Sequence, residues 1–208
     1  MTEIKLAPAI VTEIRGSLAL VTFNRPDARN SLSSDVLNSL DALLQELLTD
    51  HKVQTIVFTG AGNTFLAGAD IRELARLDPK AARGFSQKGQ RIFARIANAP
   101  QTTIAAINGY CMGGGLDFAL ACDIRVASST TVFAHPGARL GIITGWGGTQ
   151  RLPRIIGKSR ALEFFVTARQ LPVTEALKFG LITEICDPVV DGAVALASRL
   201  ITTSSERT

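Results

Sequence analysis

Asn108-Gly109-Tyr110-Cys111-Met112-Gly113-Gly114-Gly115 is the stretch on which the reading of this chain turns. It closes the run Thr103 to Asn108, opened by Pro100, which reads as a buried strand, and it leads into a helix after Gly115. A second turn of the same kind, Phe65-Leu66-Ala67-Gly68-Ala69-Asp70, follows the short strand Thr55 to Thr59 and its Gly60-Ala61-Gly62 ending. A strand-to-helix turn built from small residues leaves backbone N–H groups free at a helix N-terminus, where the dipole also favours negative charge. Two such turns facing each other can grip one developing oxyanion from both sides. One glycine cluster alone reads equally well as a tight turn that needs positive φ. Neither turn is a dinucleotide fingerprint or a Walker-type phosphate loop, because the spacing fails and no Gly-Lys-Ser/Thr follows.

Working outward, Ile10 to Ile14 and Leu18 to Phe23 read as two strands around Arg15-Gly16-Ser17. Ser33 or Ser34 can cap a helix whose apolar residues Val36, Leu37, Leu40, Leu43, Leu44, Leu47 and Leu48 draw one stripe at the helical period. Ile124 to Ala127 reads as a strand. Helices are expected over Gly148 to Ile156, Arg160 to Thr167, Val173 to Phe179 and Asp191 to Leu200. Strands alternating with helices imply an α/β fold with crossover connections. No repeat or linker divides the 208 residues, so a single domain over 1–208 is expected.

Composition narrows the function classes. The cysteines Cys111, Cys122 and Cys186 are odd in number and far apart, as suits reduced thiols in a cytoplasm. Two histidines, His51 and His135, are too few for a multi-histidine metal site, so no metal is expected. Met1 to Pro8 lacks the apolar core of a secretory signal, and no apolar run reaches the ~18 residues of a membrane span. The net charge of +4 suits a phosphate-bearing small molecule as well as it suits nucleic acid.

Along nearly its whole length the chain resembles the crotonase, or enoyl-CoA hydratase/isomerase, superfamily. The matching stretches are Asn24-Arg25-Pro26, Phe65 to Asp70, Ala106-Ile107-Asn108-Gly109-Tyr110 with Gly113 to Gly115, Cys122-Asp123-Ile124-Arg125, Gly147-Gly148-Thr149-Gln150-Arg151-Leu152, and Ala176 to Ile182. The resemblance implies a crotonase-type spiral of repeated ββα units acting on an acyl-CoA. Ala69 and Gly114 fall where the family places its two oxyanion-hole amides. Asp27, Ala28 and Arg29, with Ala67, Gly68, Ala69, Asp70 and Ile71, fall where it holds coenzyme A, which comes as part of the substrate; no permanent cofactor is implied. The family also implies a homo-oligomer, trimer or hexamer, without nucleic-acid or membrane partners. Its further C-terminal helices have no counterpart after Ala193 to Ile201, which leads to the expectation of a weakened assembly.

The acid–base positions depart from the hydratase pattern. Where the family carries two glutamates, this chain has Asp117 and, in His135-Pro136-Gly137, a glycine. A glycine transfers no proton, so Asp117 is expected as the remaining carboxylate and efficient hydration is in doubt. Isomerisation, decarboxylation, thioester hydrolysis or silent CoA binding stay open. Asp117 also reads as a solvated helix residue, and His135 as a packed loop histidine in preference to a replacement base. Trp146 reads as core before acyl-pocket wall. Asp123 reads as a structural hydrogen-bond partner at a strand start, and Cys111 as an inert small hydrophobe. The basic run Arg72, Arg76, Lys80, Arg83, Lys88, Arg91, Arg95 reads first as a solvated face, interrupted at Pro79.

Overall fold

The computed structural model describes residues 8–205 of the chain. β1 (Ile10–Arg15) and β2 (Leu18–Phe23) pair antiparallel as a hairpin. α1 (Ser34–Leu47) begins at Ser33, whose Oγ accepts the Val36 amide at 3.4 Å. Its stripe buries Val36, Leu37, Leu40, Leu44 and Leu47, each such residue worth about 1.5–3 kcal/mol against leaving it in water.

The remaining elements are β3 (Thr55–Gly60), β4 (Thr64–Leu66), α2 (Ile71–Leu74), α3 (Pro79–Ala97), β5 (Thr102–Ile107), β6 (Tyr110–Met112) and α4 (Gly114–Ala119). After them come β7 (Ile124–Ala127), β8 (Val132–Ala134), a 3₁₀ turn over Pro136–Leu140, α5 (Gly148–Ile156) and α6 (Lys158–Thr167). The last are β9 (Gln170–Pro172), α7 (Val173–Lys178), β10 (Glu184–Ile185) and α8 (Val189–Ser205). In each of the pairs β3–β4, β5–β6 and β7–β8 the first strand enters a large sheet and the second a small one, before helix follows. This is the repeated ββα plan that the resemblance implies.

The large sheet runs β1-β2-β3-β5-β7-β10 and is parallel apart from the β1–β2 hairpin. Its residues sort by the strand period of two. Leu18, Leu20, Val57, Ile104, Ala106 and Val126 pack with Val189, Ala193 and Ala197 of α8. The alternate set, Ala19, Val21, Phe23, Ile56, Phe58, Ala105, Ile107 and Ala127, packs into the main core with α1, α3 and α4. At the centre of that core the Phe118 ring meets Phe23, Phe58 and Phe93 edge-on at centroid distances of 5.1–5.4 Å, with Phe65 at 6.1 Å.

The small sheet runs β4-β6-β8-β9, with β4, β6 and β8 parallel and β9 antiparallel. The three parallel strands, of three residues each, place their C-terminal ends close together, and this edge carries the site.

Two sequence readings change here. α3 is a continuous helix of 19 residues that the basic run conceals, with Phe85, Ile92, Phe93 and Ile96 buried. Pro79 does interrupt the run, since it is the first residue of α3 and Asp78 caps the helix through the Ala81 amide at 2.7 Å. Arg95 is tied to Asp41 of α1, and Lys88 to Asn38, so part of the basic run serves helix packing.

Candidate active site

The loop Ala67-Gly68-Ala69 leaves β4, Gly113-Gly114 leaves β6 and His135 leaves β8, all from one sheet edge. The register fixes their mutual level: Leu66 pairs with Cys111, and Met112 with Ala134. Ligands of parallel sheets gather at such carboxyl ends. Gly68 turns at φ 98° and Gly113 at φ 51°, conformations that side chains beyond glycine rarely adopt.

The two turns meet. A Cβ on Gly68 would lie 3.0 Å from the Gly114 nitrogen, and one on Gly114 would lie 3.4 Å from the Ala69 nitrogen. Neighbouring amides are already committed: Ala67 donates to the Arg29 carbonyl at 3.1 Å, Asp70 to Leu32 at 3.1 Å and Gly113 to Ala134 at 2.9 Å. Among the described residues the Ala69 and Gly114 amides donate to no backbone or side-chain acceptor. Both residues are half-buried. Two free donors side by side can hold one anionic oxygen.

The residues expected around a coenzyme also come together. Arg29 and Asn30 both take left-handed backbone, φ 50° and 51°. The Asn30 side chain pins this loop by accepting the Arg25 amide at 2.8 Å and donating to the Ala61 carbonyl at 3.0 Å. That brings Arg29, at the end of the Asp27-Ala28-Arg29 turn, beside Ala67, and Leu32 beside Gly68, whose carbonyl accepts the Leu32 amide at 2.8 Å. Asp70 spends one carboxylate oxygen capping α2, through the Arg72 amide at 3.0 Å, and its side chain therefore has a structural task. Ile71 is exposed.

Asp117 lies one helical turn beyond Gly113, its amide donating to the Gly113 carbonyl at 3.1 Å. It is 1% exposed, so the solvated reading gives way: this carboxylate is enclosed. Thr144 donates its hydroxyl to Oδ2. Oδ1 has no hydrogen-bond partner among the described residues and lies 3.4 Å from His135 Nε2, which has none either. His135 is buried, edge-on to Phe165 at 5.1 Å. The packed-loop reading of His135 is therefore half the account: the ring is packed, and it also faces the acid. Nothing in the sequence shows this contact, which follows from the register that brings β6 and β8 to the same level.

Gly137 is buried in the turn after His135, and a Cβ there would lie 2.6 Å from the Ile142 carbonyl oxygen. The backbone, as well as the missing carboxylate, separates this position from a glutamate. Trp146 is core, 4% exposed and packed on Phe85 and Phe93 at 5.2 and 5.4 Å. Its indole also stands against the Cα positions of Gly89 and Gly114, so it borders the free amides as well.

Electrostatics set two cysteines aside. Burial pushes the Cys111 thiol up, with the Asp117 charge adding to it. Burial pushes Cys122 up to about 12. Neither is a ready nucleophile. Asp123 accepts from Thr103 through both its amide, at 2.8 Å, and its hydroxyl, at 2.7 Å, as a strand-start partner should. A cleft of about 590 Å³ lined by Gln90, Thr144, Gly145, Gly147, Thr149, Gln150, Arg151 and Arg154 adjoins the acid through Thr144, which bonds its carboxylate, and through Arg151, which interacts with it electrostatically. Among the described residues no three metal-ligating side chains converge, and no helix is long and apolar enough to cross a membrane.

A family profile described as enoyl-CoA hydratase/isomerase matches residues 13–208. The chain is 38% identical over 195 residues to a short-chain-enoyl-CoA hydratase of Clostridium acetobutylicum, covering 92% of this chain and 75% of that protein. It is 38% identical over 180 residues to a crotonyl-CoA hydratase of Syntrophomonas wolfei, covering 86% of this chain and 69% of that one. The crystal structure of an enoyl-CoA hydratase from Bacillus anthracis superposes with a TM-score of 0.90 at 32% identity, covering 93% of this chain and 77% of that chain.

Proposed function

The chain belongs to the enoyl-CoA hydratase/isomerase family, and from that premise we propose that it binds an enoyl-CoA thioester and stabilises the enolate formed from it. The observation that carries the reading is the pair of uncommitted amides, Ala69 and Gly114, at neighbouring strand ends with the Asp117 carboxylate one turn behind. When a nucleophile adds to C3 or a base removes a proton from the acyl chain, negative charge collects on the thioester oxygen. Donors already aimed at that oxygen need no reorganisation, and each is worth roughly 2.7–4 kcal/mol in the transition state. Coenzyme A would lie along Asp27 to Arg29 and Ala67 to Ile71, where backbone approaches backbone. Asp117 is the acid and base within reach of the reacting carbons.

With Gly137 lacking a carboxylate, the second reading is double-bond isomerisation, in which a single group carries one proton from one carbon to another. Calorimetry with acetoacetyl-CoA and turnover of crotonyl-CoA and of a 3-enoyl-CoA test the proposal together. Saturable binding is expected, with loss of the conjugated-thioester absorbance for hydration or its appearance for isomerisation. No heat at millimolar ligand, with folded protein, would sink it.

A further inference from the structure

Asp117 Oδ1 and His135 Nε2 are two buried polar atoms with no hydrogen-bond partner among the described residues, and they face each other at 3.4 Å. Leaving a buried polar group unpaired costs free energy, so such a pair in a native fold calls for an explanation. Packing does not supply one. Phe165 holds the edge of the imidazole and Thr144 holds the other carboxylate oxygen, Oδ2. Both contacts hold the two side chains while leaving Oδ1 and Nε2 3.4 Å apart, close but short of a hydrogen bond. Resting on the acyl-CoA reading above, we propose that His135 and Asp117 act as one proton-handling pair, with His135 a positioning residue that works through the carboxylate.

The step balances as follows for hydration. Oδ1 takes a proton from water as the water oxygen bonds to C3. The C2=C3 π pair becomes the C1=C2 bond of the enolate as the carbonyl π pair moves onto the thioester oxygen, held by the Ala69 and Gly114 amides. The proton rests between Oδ1 and Nε2, and returns through Oδ1 to C2 as the enolate collapses. The pair ends as it began, and the product has gained one water. In an isomerisation the same store would hold a proton taken from carbon. A lone carboxylate would have to keep that proton in an enclosed site; the imidazole gives it a second resting atom. Among the described residues Asp117 is in ion-pair contact with His135, while Cys111, held neutral by burial, and the half-buried Arg151 interact electrostatically with Asp117.

Two measurements test this. In the first, His135→Gln and His135→Asn keep a polar planar group but store no proton. Each should lower kcat for whichever reaction the wild type performs by about 100-fold or more. Affinity for acetoacetyl-CoA should stay within about threefold, and combining His135→Gln with Asp117→Asn should cost little beyond Asp117→Asn alone, as for residues that act as a unit. A kcat within threefold of wild type in a folded variant overturns the proposal. The second measurement needs only the native histidine. The chain has two imidazoles, and His51 lies outside the site, near Gln101, so ¹⁵N spectra assigned with His51→Gln report His135 directly. Saturation with acetoacetyl-CoA should shift the His135 ring nitrogens and leave His51 in place. Unmoved His135 signals in saturated protein overturn the pair even if both variants unfold. Absence of acetoacetyl-CoA binding by the wild type would instead overturn the acyl-CoA reading. Wild type that binds but catalyses neither reaction overturns the pair and leaves the binding reading standing.

Discussion

Gly137→Ala should destabilise the protein although it adds one methyl to a buried turn. The new Cβ would stand 2.6 Å from the Ile142 carbonyl oxygen, where ordinary contact begins near 3.4 Å, and the neighbour is backbone. The turn must therefore give by roughly 0.8 Å, and overpacking of this kind costs about 1–3 kcal/mol. Against that, alanine restricts the unfolded chain and returns about 0.4–1 kcal/mol. The net expectation is a loss of about 1–2 kcal/mol, or about 2–8 °C in Tm for a chain of this size. Thermal melts by circular dichroism measure it, with Gly84→Ala as an internal control of opposite sign. Gly84 sits exposed inside α3 with nothing within 4 Å of its would-be Cβ, so alanine there should stabilise by about 0.5–1 kcal/mol. If Gly137→Ala melts at or above the wild-type temperature, the steric reasoning is wrong. The same obstacle means that Gly137→Glu would bring strain along with its carboxylate.

Gly148→Ala would press a methyl against the Asp117 carboxylate, Oδ1 first, and against the Thr144 methyl 3.0 Å away, and should lower turnover by about 100-fold with little change in acetoacetyl-CoA affinity, since catalysis tolerates misplacement of about 1 Å poorly; steady-state kinetics decide it. Arg125, 8% exposed, donates to the Leu181 and Cys122 carbonyls at 2.7 Å, so Arg125→Met should cost about 2–4 kcal/mol in urea denaturation, and an unchanged midpoint would contradict the role given to these bonds. Cys122 is lifted by burial from 9.0 to about 12, so its stabilising contribution is full below pH 9.0 and is lost as pH rises through about 12. Cys122→Ala should flatten that alkaline decline in denaturation curves, and an equally steep decline would place its cause elsewhere.

Long periodic elements were legible in the sequence, and short or tertiary ones were not. The α1 stripe from Val36 to Leu48 spans several turns, and β2, β3, β5 and β7 are apolar runs with clear ends. β4, β6, β8 and β9 have three residues each, too few to show alternation, so the small sheet left no pattern to read. α3 was hidden because Gly84, Gly89 and five cations interrupt its apolar positions. The two strand-end turns could be read because small residues at strand ends are a local feature, whereas it was the family resemblance that pointed within them to Ala69 and Gly114. The approach of His135 to Asp117 is not local: it depends on β6 and β8 pairing in register, a crossover that no spacing reveals. The sequence also offers no hint that Gly137 is closed off by the Ile142 carbonyl, since that contact belongs to the path of the turn.

Asp117 and Phe118 are neighbours on a six-residue helix, and the Phe118 ring is enclosed by phenylalanines from β2, β3, β4 and α3. The acid is thus carried by a helix locked into the aromatic centre of the core. Its position can change only if several secondary elements let go at once, so local opening offers no route to partial inactivation. Amide hydrogens of α4 should exchange with solvent as slowly as those of the central strands β3 and β5. On heating, activity and tertiary structure should disappear over the same few degrees, with no temperature interval in which a folded but disarmed protein accumulates.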